Sequence, residues 1–288
     1  MTIEQFNQQD KQHVHGQLFA CCGCTTWVEL FMQRLPFASA QSLVEGATAT
    51  WYDQCNEQDW LEAFTHHPQI GDVKSLQNKF ASTKHLAGEE QAGVTTAATN
   101  VIEDLAKANA DYEAKFGFIF IVCATGKSAS EMLRLLQDRL KNSYAEELAI
   151  AMGEQHKITI IRLKKLLADE DWSWLKVSQL TTHVLDTSIG KPGRNITIRL
   201  QQEHNNVWQT IAQGITNIDG RIGDLLPPMR VISIGNYRMV FETAGYFNEQ
   251  QVKGFYPVVE IQFTVFDDQH YHVPLLINPF GYSTYRGS

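Results

Sequence analysis

Along this chain the spacing of apolar residues changes once, and that change limits the folds open to it. Up to about residue 167 they recur at helical intervals: Trp27, Leu30 and Phe31 before Pro36, then Leu43, Ala47 and Trp51, then Val101, Leu105, Ala108 and Tyr112. Beyond about residue 178 they fall on every second position, as in Ile196, Ile198 and Leu200 or Val259, Ile261, Phe263 and Val265. The acidic run Ala168-Asp169-Glu170-Asp171 stands between the two regimes. This predicts a helical domain over 1–167, a linker over 168–178 and a β domain over 179–288, and 288 residues suffice for two cores.

Local signals refine both halves. Asn56 with Asp59, and Ser128 with Glu131, have the spacing of helix N-terminal caps. Pro68 stops the helix that carries Trp60, Leu61 and Phe64, leaving His66 and His67 at its end. Gly117–Cys123 is a short apolar run of extended character, and a last helix is expected from about Tyr144 to Leu167. In the β half, Gly190-Lys191-Pro192-Gly193 and Asn217-Ile218-Asp219-Gly220-Arg221 are turns, the second projecting Arg221. The strand Val259–Phe266 should turn at Asp267-Asp268 and pair with His270–Val273, within an antiparallel sandwich. Alternation then puts His270 and His272 on one side of the sheet, Tyr271 and Val273 on the other. The last residues, Gly281 to Ser288, are aromatic, hydroxyl-bearing and guanidinium-bearing, and read as a built-in part of the domain.

Charge and cysteine usage exclude some functions. The net charge is -8, spread over both halves, with no basic stripe for nucleic acid, so a small-molecule substrate is the better expectation. No apolar run is long enough to span a bilayer, and Met1-Thr2-Ile3-Glu4 lacks a basic stretch followed by an apolar one, which favours the cytoplasm. The 5 cysteines all lie in the first domain, and an odd number argues against a complete disulfide framework. Cys21-Cys22-Gly23-Cys24, with His13 and His15 upstream, suggests a metal cluster, but the spacing departs from the paired Cys-x-x-Cys knuckle and structural thiols are the better reading.

Four motifs in the β half carry a resemblance: Leu180-Thr181-Thr182-His183-Val184-Leu185-Asp186-Thr187, Thr216-Asn217-Ile218-Asp219-Gly220-Arg221, Phe255-Tyr256-Pro257 and Tyr282-Ser283-Thr284-Tyr285-Arg286-Gly287-Ser288. The segment resembles 5-hydroxyisourate hydrolase, a urate-pathway family of transthyretin fold. The resemblance implies an all-β sandwich with His183, Arg221, His272 and Ser288 catalytic, Tyr285 touching substrate, and a homotetramer with sites in a channel between subunits. Which histidine is the base stays open. Pro192-Gly193 departs from the family's commoner Pro-Ala, and Ile277-Asn278-Pro279 from its Leu-Ser-Pro.

The helical half carries His67-Pro68-Gln69-Ile70-Gly71-Asp72, Lys79-Phe80-Ala81, Gly88-Glu89-Glu90-Gln91-Ala92-Gly93, Phe116–Phe120 and a helix ending in Arg162. On these motifs it resembles 2-oxo-4-hydroxy-4-carboxy-5-ureidoimidazoline (OHCU) decarboxylase over nearly all of 1–167. The resemblance implies an all-α fold with His67 and Glu90 catalytic, and substrate binding by Pro68, Ala87, Gln91, Phe118, Ile119, Phe120, Ile121, Val122 and Arg162. Ala87 stands where the family often has Ser, which removes one possible hydroxyl contact. The two families act consecutively in urate breakdown and imply no cofactor and no metal.

Three other readings belong beside this one. His183, His270 and His272 are three imidazoles that would suit a zinc hydrolase. The β domain is alternatively a transthyretin-like binding protein without catalysis, although the Tyr285-Arg286-Gly287-Ser288 ending opposes that. The helical domain is alternatively only a scaffold or partner-binding module.

Overall fold

The computed structural model describes residues 1–67, 93–124, 127–175 and 178–287, the side chains of 93–99 excepted. The first half is helical: α1 Ile3–Asn7, α2 Lys11–Cys22, α3 Thr25–Met32, α4 Ala40–Ala49 with a π-helical turn Thr50–Gln54, α5 Glu57–Thr65, α6 Gly93–Phe116, α7 Ala129–Arg139 and α8 Tyr144–Leu166. The predicted caps are present. Asn56 and Asp59 open α5 reciprocally, Ser128 and Glu131 open α7, and Ser143 with Glu146 does the same for α8.

Two apolar clusters hold the helices. One gathers Phe6, Leu18, Trp27, Phe31, Leu43 and Trp51 against Ile160 and Leu163 of α8. The other packs Phe64, Tyr112, Phe116, Phe118 and Phe120 with Leu135, Leu136 and Leu148. Each such side chain contributes roughly 1.5–3 kcal/mol when taken fully out of water. The extended run 118–123 sits in the second cluster, with Phe118, Phe120, Ile121 and Cys123 buried.

The second half is a two-sheet sandwich with strands β1 Leu180–Asp186, β2 Lys191–Pro192, β3 Thr197–His204, β4 Val207–Ile215, β5 Arg221–Ile222, β6 Gly235–Phe241, β7 Val259–Val265, β8 Tyr271–His272, β9 Leu275–Asn278 and β10 Gly281–Thr284. One sheet runs β4-β3-β6-β7; the other runs β10-β9-β1-β2, with β5 and β8 also on β1. Two details differ from expectation. The sandwich carries a short helix, α9 Thr243–Glu249, whose Tyr246 and Phe247 are buried. It is also not wholly antiparallel, because β8 and β9 both lie parallel to β1. The expected β7–β8 hairpin fails because the Tyr271 hydroxyl receives the Phe266 amide at 2.8 Å and donates to Asp267 Oδ1 at 2.9 Å. That anchor turns the chain across to the other sheet, where the Tyr271 amide bonds the Gln179 carbonyl at 2.8 Å.

The domains touch through α7, α8 and β4. Thr210 Oγ1 donates to Glu146 at 2.7 Å, Asn142 to Gln213 at 3.3 Å, and the Arg230 guanidinium lies 4.6 Å from the Tyr52 ring centre. Among the described residues no helix is long and apolar enough to cross a membrane.

Candidate active sites

In the β domain the site grows from strand pairing. On β1, Thr181 and His183 are two residues apart and share a face. β8 sets His272 beside Thr181, and β5 sets Arg221 beside His183. Three chain segments thus deliver His183, Arg221 and His272 to one patch. The Thr181 hydroxyl lies 2.9 Å from His272 Nδ1 and 3.0 Å from His270 Nε2, tying the two imidazoles on the same side as their alternation predicts. Among the described residues no three His, Cys, Asp or Glu side chains converge as a metal-holding group.

The turn before Arg221 is fixed by local contacts. Asn217 Oδ1 accepts the amides of Asp219 at 3.0 Å and Arg221 at 2.9 Å. Gly220 between them has φ +70, and a Cβ there would meet the Val184 carbonyl oxygen at 2.3 Å. Only glycine fits such a left-handed, close-packed position.

The chain's end lies over the site. The Gly287 amide bonds the His272 carbonyl at 2.9 Å, and a Cβ on Gly287 would come within 2.4 Å of His272 Cδ2. Arg286 stacks 5.2 Å from the Tyr271 ring centre, while Tyr285 is 59% exposed and points away from the core. Ser288 lies outside the described residues. At Gly193, where the family more often has Ala, a Cβ would meet Val184 Cγ1 at 2.7 Å and Ile196 Cδ1 at 3.0 Å, so an alanine here would require those side chains to shift.

Electrostatics favour the neutral form of both imidazoles. Burial lowers the His183 pKa below its ordinary value and the Arg221 guanidinium lowers it further, against weaker opposition from Asp219. His272 is lowered by burial first, then by Arg221, His270 and His183. A neutral imidazole beside a fixed guanidinium can take a proton from water while positive charge faces a developing oxyanion.

In the helical domain the candidate site centres on the end of α5 and one face of α8. Gln155, Thr159 and Arg162 stand at i, i+4 and i+7 on that face. They meet the C-terminus of α2, whose last carbonyls lack helical partners. Arg162 Nη1 donates to the carbonyls of Ala20 at 3.3 Å and Cys21 at 3.1 Å, and Gln155 Nε2 to that of Cys22 at 3.0 Å. His67, just past α5, hydrogen-bonds Gln155 Oε1 through its Nε2. His66 packs edge-on against Phe19, and a Cβ on Gly23 would touch it at 2.8 Å, so it belongs to the α2 contact. Pro68, Ala87, Glu90 and Gln91 lie outside the described residues.

The run 118–122 presents little side-chain surface. Phe118, Phe120 and Ile121 are buried, leaving Ile119 and Val122 partly accessible. Its backbone is clamped instead: Arg139 donates to the Ile121 carbonyl at 2.8 Å, and Glu154 accepts the Cys123 amide at 2.7 Å. Arg139 is itself paired with the fully buried Glu147, and Lys157 with Glu154 at 2.5 Å. The cysteines are all buried, Cys21, Cys22, Cys24 and Cys55 as free thiols, and Cys24 Sγ accepts the Trp27 amide at 3.3 Å to cap α3.

Sequence reasoning missed Gln155 and Thr181. Gln155 looks like any polar residue inside a helix, and its only signal is the spacing to Arg162. Thr181 is visible only once β8 is known to run parallel to β1. A cleft of about 270 Å³ between the domains borders Lys127, Glu154, Lys157, Arg221 and Asp224 but includes neither His67 nor His183.

The fold defines a two-domain protein with an all-α unit and a transthyretin-type β sandwich, each carrying a candidate site. Residues 7–164 match the OHCU decarboxylase family and residues 180–287 the HIUase/Transthyretin family, and the chain belongs to both. It is 34% identical to the Uric acid degradation bifunctional protein TTL of Arabidopsis thaliana over 93% of this chain and 96% of that one. Its β half is 43% identical to the 5-hydroxyisourate hydrolase of Mus musculus, over 38% of this chain and 96% of the relative. The solved structure of Klebsiella pneumoniae 5-hydroxyisourate hydrolase aligns with TM-score 0.34 and 36% identity, over 38% of this chain and 98% of its own.

Proposed function

We propose that the β domain hydrolyses 5-hydroxyisourate to OHCU and that the helical domain decarboxylates OHCU to (S)-allantoin. The observation that carries the first step is the shared face of β1, where His183 and Thr181 meet Arg221 and His272 with both imidazoles held below their ordinary pKa. One neutral imidazole deprotonates water, which attacks a ring carbonyl. Arg221 stabilises the oxyanion, and ring opening follows with proton return to the leaving nitrogen. Ser288 adds its hydroxyl or terminal carboxylate, and Tyr285 a contact to substrate.

In the second step loss of CO2 leaves an enolate-like carbanion, which His67 as imidazolium protonates on one face. Glu90 favours the charged ring, and Arg162 holds a carboxylate or oxyanion by paired donors. Both reactions are served by acid–base groups and delocalisation into the substrate's own carbonyl system. The exposed aromatic group of Phe255, Tyr256 and Tyr282, with ring centres 5.0 Å and 5.2 Å apart in sequence, supports self-association of the sandwich into a homotetramer.

The test is to supply 5-hydroxyisourate and follow ultraviolet absorbance with circular dichroism. Accelerated decay of substrate and then of OHCU, with an S product, is expected. Racemic allantoin formed at the solvent rate would reduce the helical domain to a scaffold, and unaccelerated ring opening would reduce the β domain to a binding module.

A further inference from the structure

Gln155 is fully buried on α8, and its amide can sit in only one orientation. Its Nε2 lies 3.0 Å from the Cys22 carbonyl oxygen and 3.3 Å from Thr159 Oγ1. A carbonyl oxygen can only accept, so the NH2 end must face α2. The other end, Oε1, then faces His67 Nε2, and an amide oxygen also only accepts. His67 must therefore carry a proton on Nε2. The donor direction of this bond is set by a backbone carbonyl at the end of α2, which has no helical partner of its own.

We propose that Gln155 is the positioning residue of the decarboxylase site: it holds His67 as the Nε2–H form, so that Nε2 keeps its proton and acid–base exchange runs through Nδ1. This rests on the reading of His67 as proton donor. Burial makes the assignment rigid, because reversing the amide would face its NH2 against an N–H and leave the Cys22 carbonyl opposite another acceptor. The same device fixes ring orientation, since a histidine whose Nε2 is anchored to a buried amide cannot swing freely.

The direct test is the nitrogen chemical shifts of the His67 ring in the whole protein, read by NMR above the ring's pKa and assigned by comparison with His67→Asn. Protonated Nε2 and unprotonated Nδ1 are expected; the opposite tautomer overturns the proposal, and this measurement needs no Gln155 variant to fold. Kinetics supply the second test. Gln155→Leu removes the acceptor and is expected to lower kcat for decarboxylation by roughly 10- to 100-fold with KM little changed. Gln155→Glu keeps an acceptor and adds charge, so its kcat should partly recover and its pH profile should move to higher pH. A purely structural Gln155 would lower thermal stability while leaving kcat and the pH profile as in the parent, and that result overturns the proposal. If His67→Asn itself retains parental decarboxylation, the reading of His67 fails, whereas a dead His67→Asn beside fully active Gln155 variants overturns the positioning role alone.

Discussion

His183 and His272 are depressed by burial and by Arg221, and the sign of that shift gives the hydrolase a pH signature. A base works only when deprotonated, so a lowered pKa extends activity to lower pH, and the acid limb of kcat/KM should fall below the ordinary imidazole value of about 6.5. Arg221→Gln removes the guanidinium that contributes to both shifts. Its residual activity should show an acid limb displaced to higher pH, besides a loss of roughly 10²-fold or more from the missing oxyanion partner. A pH–rate profile superimposable on the parent's would exclude Arg221 from the site. His272→Ala should lose about 10²- to 10⁴-fold in hydrolysis, as removal of a general base does.

Two elements turn local geometry into testable stability and activity. α8 buries His156, whose Nε2 donates to Thr48 Oγ1 at 3.0 Å, the threonine hydroxyl proton being directed to the Val44 carbonyl at 2.8 Å. Its Nδ1 is buried without a hydrogen-bond partner among the described residues, so protonating it would set an unpaired charge inside the domain. Burial, aided by Arg230, accordingly pushes the pKa of His156 down to about 3. Because this lies below the unfolded value, the unfolded chain binds more protons between the two. The stability from the neutral ring is complete above about pH 6.5 and is lost as pH falls toward 3. Acid unfolding followed by far-ultraviolet circular dichroism should therefore be less steep in His156→Gln across that window. The C-terminal segment supplies the other case. Gly287→Ala puts a Cβ 2.4 Å from His272 Cδ2, so the segment or the imidazole must move. Hydrolysis is expected to fall at least about tenfold with the melting temperature nearly unchanged, since the segment is exposed and contributes little to the core. Parental hydrolysis in that variant would show that the tail is indifferent to His272.

For the whole molecule the question is whether two sites in one chain work separately. His67 and His183 sit in different domains, which meet through hydrogen bonds from Thr210 to Glu146 and from Asn142 to Gln213 and through packing of Ile215 and Met229 against the helical cores. His67→Asn, which cannot supply a proton near neutral pH, should leave hydrolysis intact and lower decarboxylation by roughly 10² or more. OHCU would then be released and decay slowly toward racemic allantoin. Loss of both activities in that variant, with the fold intact by circular dichroism, would mean that the sites are coupled across the interface.

Local pattern alone determined the helical and β halves, the caps at Asn56, Ser128 and their partners, the turn that projects Arg221, and the common side of His270 and His272. Each depends on residues within a few positions of one another, where helix period, strand alternation and turn chemistry act directly. Tertiary structure decided the rest. Tyr271 bonded to the Phe266 amide and Asp267 sends β8 to the far sheet and parallel to β1, and only that pairing puts Thr181 between two histidines some 90 positions away along the chain. Packing of α8 on the end of α2 likewise aims Gln155 at His67, 88 positions apart. No local rule specifies such meetings, because they depend on which unpaired carbonyl or strand edge is nearest once both cores have closed.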